Sequence, residues 1–154
     1  MSALVPVRLA VVGSTGFGSE LATACAATVI HLAYAQFRDE IAAGGGCVVS
    51  GGAHGVDTWA ETVAVGFGWT RENGKFVAHL PNRKRWEPDG FKARNQLIAG
   101  DCTHLLRLYR PDSPTYGSGW TADRAEALGK VVRRFVWDPE AGRFVKVEPV
   151  VSAS

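Results

Sequence analysis

A chain of 154 residues, 46% hydrophobic and 21% charged, has the length and composition of one globular domain that can bury a core without disulfides or a structural metal. A formal net charge of +2 is too small to announce a nucleic-acid partner, so the local placement of charge has to decide. Three widely spaced cysteines, Cys25, Cys47 and Cys102, exclude a disulfide framework and read as small buried residues of a reducing compartment. With no leader pattern and no apolar run of membrane-spanning length, no membrane partner is expected, and cytoplasm is the expected location.

In chain order, Leu4 to Val12 is apolar and rich in valine, as expected of a strand covered on both faces and central in a parallel sheet. It runs into Gly13-Ser14-Thr15-Gly16-Phe17-Gly18-Ser19, whose N–H groups and hydroxyls suit a phosphate or a ribose, although the glycines lack the spacing of a dinucleotide fingerprint. A long helix follows, with apolar positions from Leu21 to Ile41, and Gly44-Gly45-Gly46 stops it. Val48 and Val49 form a second strand. Ser50, Gly51 and Gly52 then let the chain turn, and Gly55 gives a second flexible point before a helix from Val56 to roughly Val65. Lys75 to Leu80 is a third strand, and Pro81 to Phe91 is irregular, basic and aromatic. Lys92 to Ala99 is a short helix, and Thr103 to Tyr109 is a fourth strand. A loop from Arg110 to Gly119 delivers a helix from Trp120 to Leu128, with Gly129 as its stop. Val131 to Trp137 is a fifth strand, and Arg143 to Val147 returns as its antiparallel hairpin partner. Residues 1–149 are expected to make one domain, and 150–154 a flexible tail.

Strands alternating with helices predict an α/β, Rossmann-like, doubly wound and mainly parallel sheet with helices on both faces. Ligands in such sheets sit outside the carboxyl ends of the strands, where the strand order reverses. All the glycine-rich turns follow strands and are therefore expected to meet at that edge.

Each candidate residue also has a plainer reading. Asp57 opens a helix, where a carboxylate stabilises the dipole or contacts a ligand. Ser118, Gly119 and Thr121, after Gly117, stand at another helix start, where backbone N–H groups and a hydroxyl suit a phosphate. Asp123 in that helix is either a catalytic carboxylate or a dipole-stabilising one. Lys92, Arg94 and Asn95 are a solvated helix face or an anion contact. Arg83, Lys84 and Arg85 with Trp86 either bind single-stranded nucleic acid, clamp one nucleotide, or form an exposed loop whose tryptophan packs inward. His54 is an exposed turn residue or a substrate contact, and the remaining histidines read as structural. No ligand spacing fits a metal, and no cofactor is expected.

Three blocks carry a family resemblance: VVSGGAHGVDTWAE (48–61), KARNQLIAG (92–100) and YGSGWTADRAEALGK (116–130). Together with Gly13-Ser14, and in this order, they resemble the SLOG group of Rossmann-like proteins. That group includes the DprA/Smf DNA-processing proteins, the Lonely Guy phosphoribohydrolases and small stand-alone members of the YspA type, which this chain matches in size. The resemblance implies a nucleotide or nucleotide-derived ligand, bound for sensing or sequestration or cleaved at its N-glycosidic bond. Arg94 would hold a phosphate, and Asp57 or Asp123 would stabilise the reacting centre. It also implies a homodimer or larger assembly. A DprA-like single-stranded nucleic-acid module using Arg83, Lys84, Arg85, Lys92 and Arg94 is the alternative. The chain differs from the pattern at Thr15, where stand-alone members often carry arginine. It differs again at Ala122-Asp123, where the Lonely Guy enzymes have a glutamate pair.

Overall fold

The computed structural model describes residues 4–52, 55–80, 89–112 and 117–148, of which 89–91 by backbone alone. His54, the stretch Arg83 to Trp86 and the tail 150–154 lie outside the described residues. The elements are β1 (Arg8–Gly13), α1 (Glu20–Gln36), α2 (Arg38–Ala42), β2 (Cys47–Ser50), α3 (Val56–Gly66) and β3 (Phe76–Ala78), followed by α4 (Asp89–Asp101), β4 (His104–Tyr109), α5 (Ser118–Ala127), β5 (Val131–Asp138) and β6 (Arg143–Val147). They build a six-stranded sheet of order β3-β2-β1-β4-β5-β6. Every neighbouring pair is parallel except β5 and β6, which run antiparallel at the edge. This is the expected Rossmann-like α/β fold.

Strand alternation explains the layers. Leu9, Val11, Val48, Leu106 and Leu108 point to one face and are buried with Ala22, Ala26 and Ile30 of α1, Ile41 of α2, and Ala60 and Ala64 of α3. Ala10, Val12, Val49 and Leu105 point to the other face, against Ile98 and Ala99 of α4 and Ala122 and Ala125 of α5. Central strands covered on both sides need no polar positions, hence the continuous apolar runs. On the first face Tyr34 is fully buried and donates its hydroxyl to the Ala60 carbonyl at 2.8 Å, which ties α1 to α3. Burial raises its pKa well above the ordinary value, and a neutral phenol is the form that keeps this donor. Burial also raises the thiols of Cys47 and Cys102, the latter to about 11, so both are inert apolar side chains rather than nucleophiles.

Element boundaries depart from expectation for identifiable reasons. β1 begins at Arg8 rather than Leu4: Pro6 has no N–H for a ladder, and Leu4 and Val5 are exposed. The long helix is two helices, broken at Phe37, whose ring turns aside to pack on His104 at 4.8 Å. That break brings the end of α2 under Lys75. The ammonium donates to the carbonyls of Ile41, Ala43 and Gly46 and so closes the triple-glycine stop. β3 has three residues rather than six because only β2 pairs with it. α4 and α5 both begin earlier than expected, at Asp89 and Ser118, because glycine, the expected breaker, is accepted in the first turn of each. At Gly119 the missing Cβ makes room for a guanidinium from β4.

His104 opens β4 at the amino end of the sheet. Its Nδ1 is 2.8 Å from the Thr103 hydroxyl, and the Phe37 ring packs on its face. Burial, with the charge of Arg133 adding to it, holds its pKa below the ordinary 6.5. The unfolded chain therefore takes up this proton first: the stability is fully present above 6.5 and is lost as pH falls from there toward the folded value. Urea midpoints of wild type should fall between about pH 7.5 and about pH 5.5, and His104→Phe, which keeps the ring packing, should fall less. Parallel declines in the two proteins would contradict this role for His104.

Candidate functional site

The strand order reverses at β1, which has β2 on one side and β4 on the other. The chain leaves β1 toward the face carrying α1 to α3, and it leaves β4 toward α5 on the opposite face. A crevice between such divergent connections is the general ligand position of doubly wound sheets.

The turn after β1 is held tightly. A Cβ on Gly13 would collide with the Leu108 carbonyl of β4 and approach Val56 Cγ2 to 2.8 Å. Ser14 N donates to Leu108 O at 3.1 Å, Ser14 O accepts from Val56 N at 3.2 Å, and Ser14 Oγ accepts from Arg110 N at 3.1 Å. Ser14 thus joins the ends of β1 and β4 to the start of α3. Thr15 is exposed, and its backbone lies against Gly55, the N-cap of α3 at φ +80°. The first turn then folds down over the sheet. Phe17 is buried, stacked on Trp59 of α3 at 5.6 Å and edge-on to Phe144 of β6 at 5.2 Å.

After β2 the buried Ser50 accepts from Gly52 N through its hydroxyl, and its carbonyl receives His79 N at 2.8 Å. Gly51 lies between the two charged groups of this turn. A Cβ there would come within 3.1 Å of both Arg94 Cζ and Asp57 Oδ2. Arg94 reaches across from α4, donates Nη1 to Gly51 O at 2.7 Å and Nε to Asn95 Oδ1 at 2.7 Å. Asn95 thereby orients the guanidinium and Asp57 faces it, while Lys92 is exposed. Burial lowers the Arg94 pKa and the nearby Asp57 carboxylate opposes that shift; a guanidinium so placed remains a cation at neutral pH.

The third turn differs in kind. Gly117 is the N-cap of α5 at φ +83°, with no side chain capping the helix. Thr121 is buried, and both its N–H and its hydroxyl are directed to the Gly117 carbonyl, at 2.9 and 2.8 Å. Its hydroxyl proton is therefore not available to a ligand. Ser118 Oγ accepts from Nε of Arg107 at 3.0 Å, and Gly119 lies under the same guanidinium. Asp123 turns outward and pairs with Arg134 of β5 at 2.9 Å, its side chain 76% exposed. The two alternative candidates for a catalytic carboxylate are thus placed differently, Asp57 at the Arg94 turn and Asp123 against β5.

Arg107 was not anticipated. A signal was present, because an arginine inside LLRLY is a charge in a strand that must be buried on both faces. Among the described residues no cluster of His, Cys, Asp or Glu could hold a metal ion, and no helix is long and apolar enough to cross a membrane. The chain matches no protein-family model, and a search of curated proteins finds no match.

Gly55 and Gly129 separate strain from packing. Both have positive φ, +80° and +82°, but a Cβ on Gly129 meets open space whereas one on Gly55 meets the Thr15 carbonyl and Ser14 O. Gly129→Ala should cost about 1 kcal/mol in urea unfolding. Gly55→Ala should cost at least about 2 kcal/mol more, because the first turn has to move. Equal losses would mean that the turn after β1 is not locked onto α3.

Proposed function

We propose that the chain binds a nucleotide or nucleotide-derived ligand at the carboxyl edge of the sheet, in the crevice between the ends of β1 and β4. The observation that carries this reading is the reversal of strand order at β1, with the glycine turns after β1 and β2 and the start of α5 brought to the same edge. Backbone N–H groups at a helix start, an arginine oriented by Asn95, and a carboxylate at Asp57 supply donors for phosphate and an acceptor for a ribose hydroxyl. The resemblance to the SLOG proteins belongs to this proposal and agrees with it in the residues used. Binding for sensing or sequestration is the primary reading. Asp123 faces Arg134 and not the turn that holds Asp57, so cleavage of an N-glycosidic bond, the secondary reading, would rely on Asp57.

The test is a thermal-shift panel of nucleoside monophosphates, ADP-ribose, NAD and a short single-stranded DNA, with free base measured in the same samples. One or more of the small ligands should raise the midpoint, by an amount that grows with ligand concentration and changes little with added salt. Release of free base would make the protein a glycosidase. A shift with DNA alone, lost on raising the salt, would contradict the crevice and point to the basic stretch at 83–86.

A further inference from the structure

Arg107 is the most deeply buried cation described, 7% exposed in the middle of β4. Its guanidinium lies over the Tyr109 ring, 3.8 Å from the centroid, and beside the space that a Cβ on Gly119 in the first turn of α5 would occupy. Nε is spent on Ser118 Oγ. Among the described residues Nη1 and Nη2 have no acceptor, and no carboxylate lies within ion-pair distance of them. These nitrogens are not sealed in, since no fully buried side-chain nitrogen or oxygen among the described residues lacks a partner. Nη2 lies beside Gly119 in the first turn of α5, where the N–H groups of Ser118, Gly119 and Trp120 find no acceptor among the described residues.

The neighbour in the next strand shows that this is a choice of the fold. Arg134 is in register with Arg107 on β5 and is paired with two carboxylates of α5, Asp123 at 2.9 Å and Glu126 at 3.2 Å. One helix thus neutralises one of two adjacent arginines and turns its positive end toward the other. A buried charge without a counter-charge is costly, and an added positive dipole makes it more so. Burial lowers the Arg107 pKa and Arg134 adds to that shift, while Tyr109 and the more distant Asp123 carboxylate oppose it in part. An oxyanion would offset both charges at once.

We propose that Arg107 is the phosphate-holding residue of the site, its Nη1 and Nη2 taking one oxyanion of a phosphomonoester together with the N–H groups that open α5. Ser118 fixes the guanidinium through Nε, Tyr109 and Gly119 hold its plane, and the fork points a bidentate pair of donors at the ligand. The inference rests on the nucleotide reading above and names the residue that reads its phosphate.

Titration calorimetry with AMP, inorganic phosphate and adenosine tests it in wild type and Arg107→Met. The substitution should weaken AMP and phosphate at least about 30-fold and leave adenosine within about twofold. In phosphate-free buffer the variant should melt no lower than wild type, because it removes an uncompensated charge. A merely structural arginine would give the opposite pattern, a lower melting temperature with unchanged AMP affinity, and would overturn the proposal while leaving the crevice reading intact. Wild type that binds neither AMP nor phosphate would overturn the assignment of Arg107, and wild type that also binds no other nucleoside monophosphate, ADP-ribose or NAD would overturn the crevice reading with it. Should the variant fail to fold, the side-chain Nε resonance of Arg107 in wild type serves instead: it should move on adding AMP and not on adding adenosine. An unmoved resonance under saturating AMP would refute the assignment.

Discussion

The constraint on which the carboxyl edge depends is the closeness of backbone to backbone where β1 ends. Gly13 is pressed against the Leu108 carbonyl, and Gly55 against the carbonyls of Ser14 and Thr15. At neither point is there room for a single added carbon. The cost of that closeness is glycine's conformational entropy in the unfolded chain. In return the hydroxyl and backbone of Ser14 bind the ends of two strands and the start of a helix into one unit. The turn after β1 is thereby fixed at the carboxyl edge of the sheet, and its apolar side chain, Phe17, is anchored in the core.

Charge is distributed around this edge in two different ways. Arg94 belongs to the second turn: it holds the Gly51 carbonyl, is oriented by Asn95 and faces Asp57. Its first role is therefore to shape the turn, and any ligand contact would use a guanidinium that is already placed. Arg107 lies beneath the start of α5, its Nε on Ser118 and its Nη1 and Nη2 without an acceptor among the described residues. Such an arrangement makes sense energetically when the missing partner comes from outside the chain. The opposite end of the sheet offers a contrast. There a groove between α1 and the starts of β4 and β5, lined by Leu32, Phe37, Val131 and Phe135, is mostly apolar, and its Arg133 donates to its Gln36.

Much of the fold was legible because its causes are local or periodic. Apolar runs without alternation at Leu9–Val12 and, interrupted only by Arg107, at Leu105–Leu108 mark strands covered on both faces, and glycine at 13, 51, 55 and 117 marks where the chain must turn. The antiparallel return of β6 was legible from the short turn at 138–142. What stayed hidden depends on contacts between distant residues. The helix break at Phe37 goes with a ring packing on His104, and the earlier start of α5, at Ser118 rather than Trp120, goes with Gly119 lying against Arg107. The same holds for the candidate site. Its edge of the sheet could be located from turn positions, but the partners of each polar group could not. Thr121 and Ser14 spend their hydroxyls on backbone, Asp123 spends its carboxylate on Arg134, and Arg107 became visible as a site residue only once β4 and α5 were side by side.

The central claim is that the ligand sits at the carboxyl ends of β1 and β4. It is tested most directly by backbone amide NMR of the full chain, titrated with AMP. The account predicts that the amides which move lie in the turns after β1 and β2 and in the first turn of α5, around Ser14 to Gly18, Gly51 to Gly52 and Ser118 to Trp120. Perturbations gathered instead in the groove beside Leu32 and Val131, or confined to the basic stretch at 83–86, would contradict it.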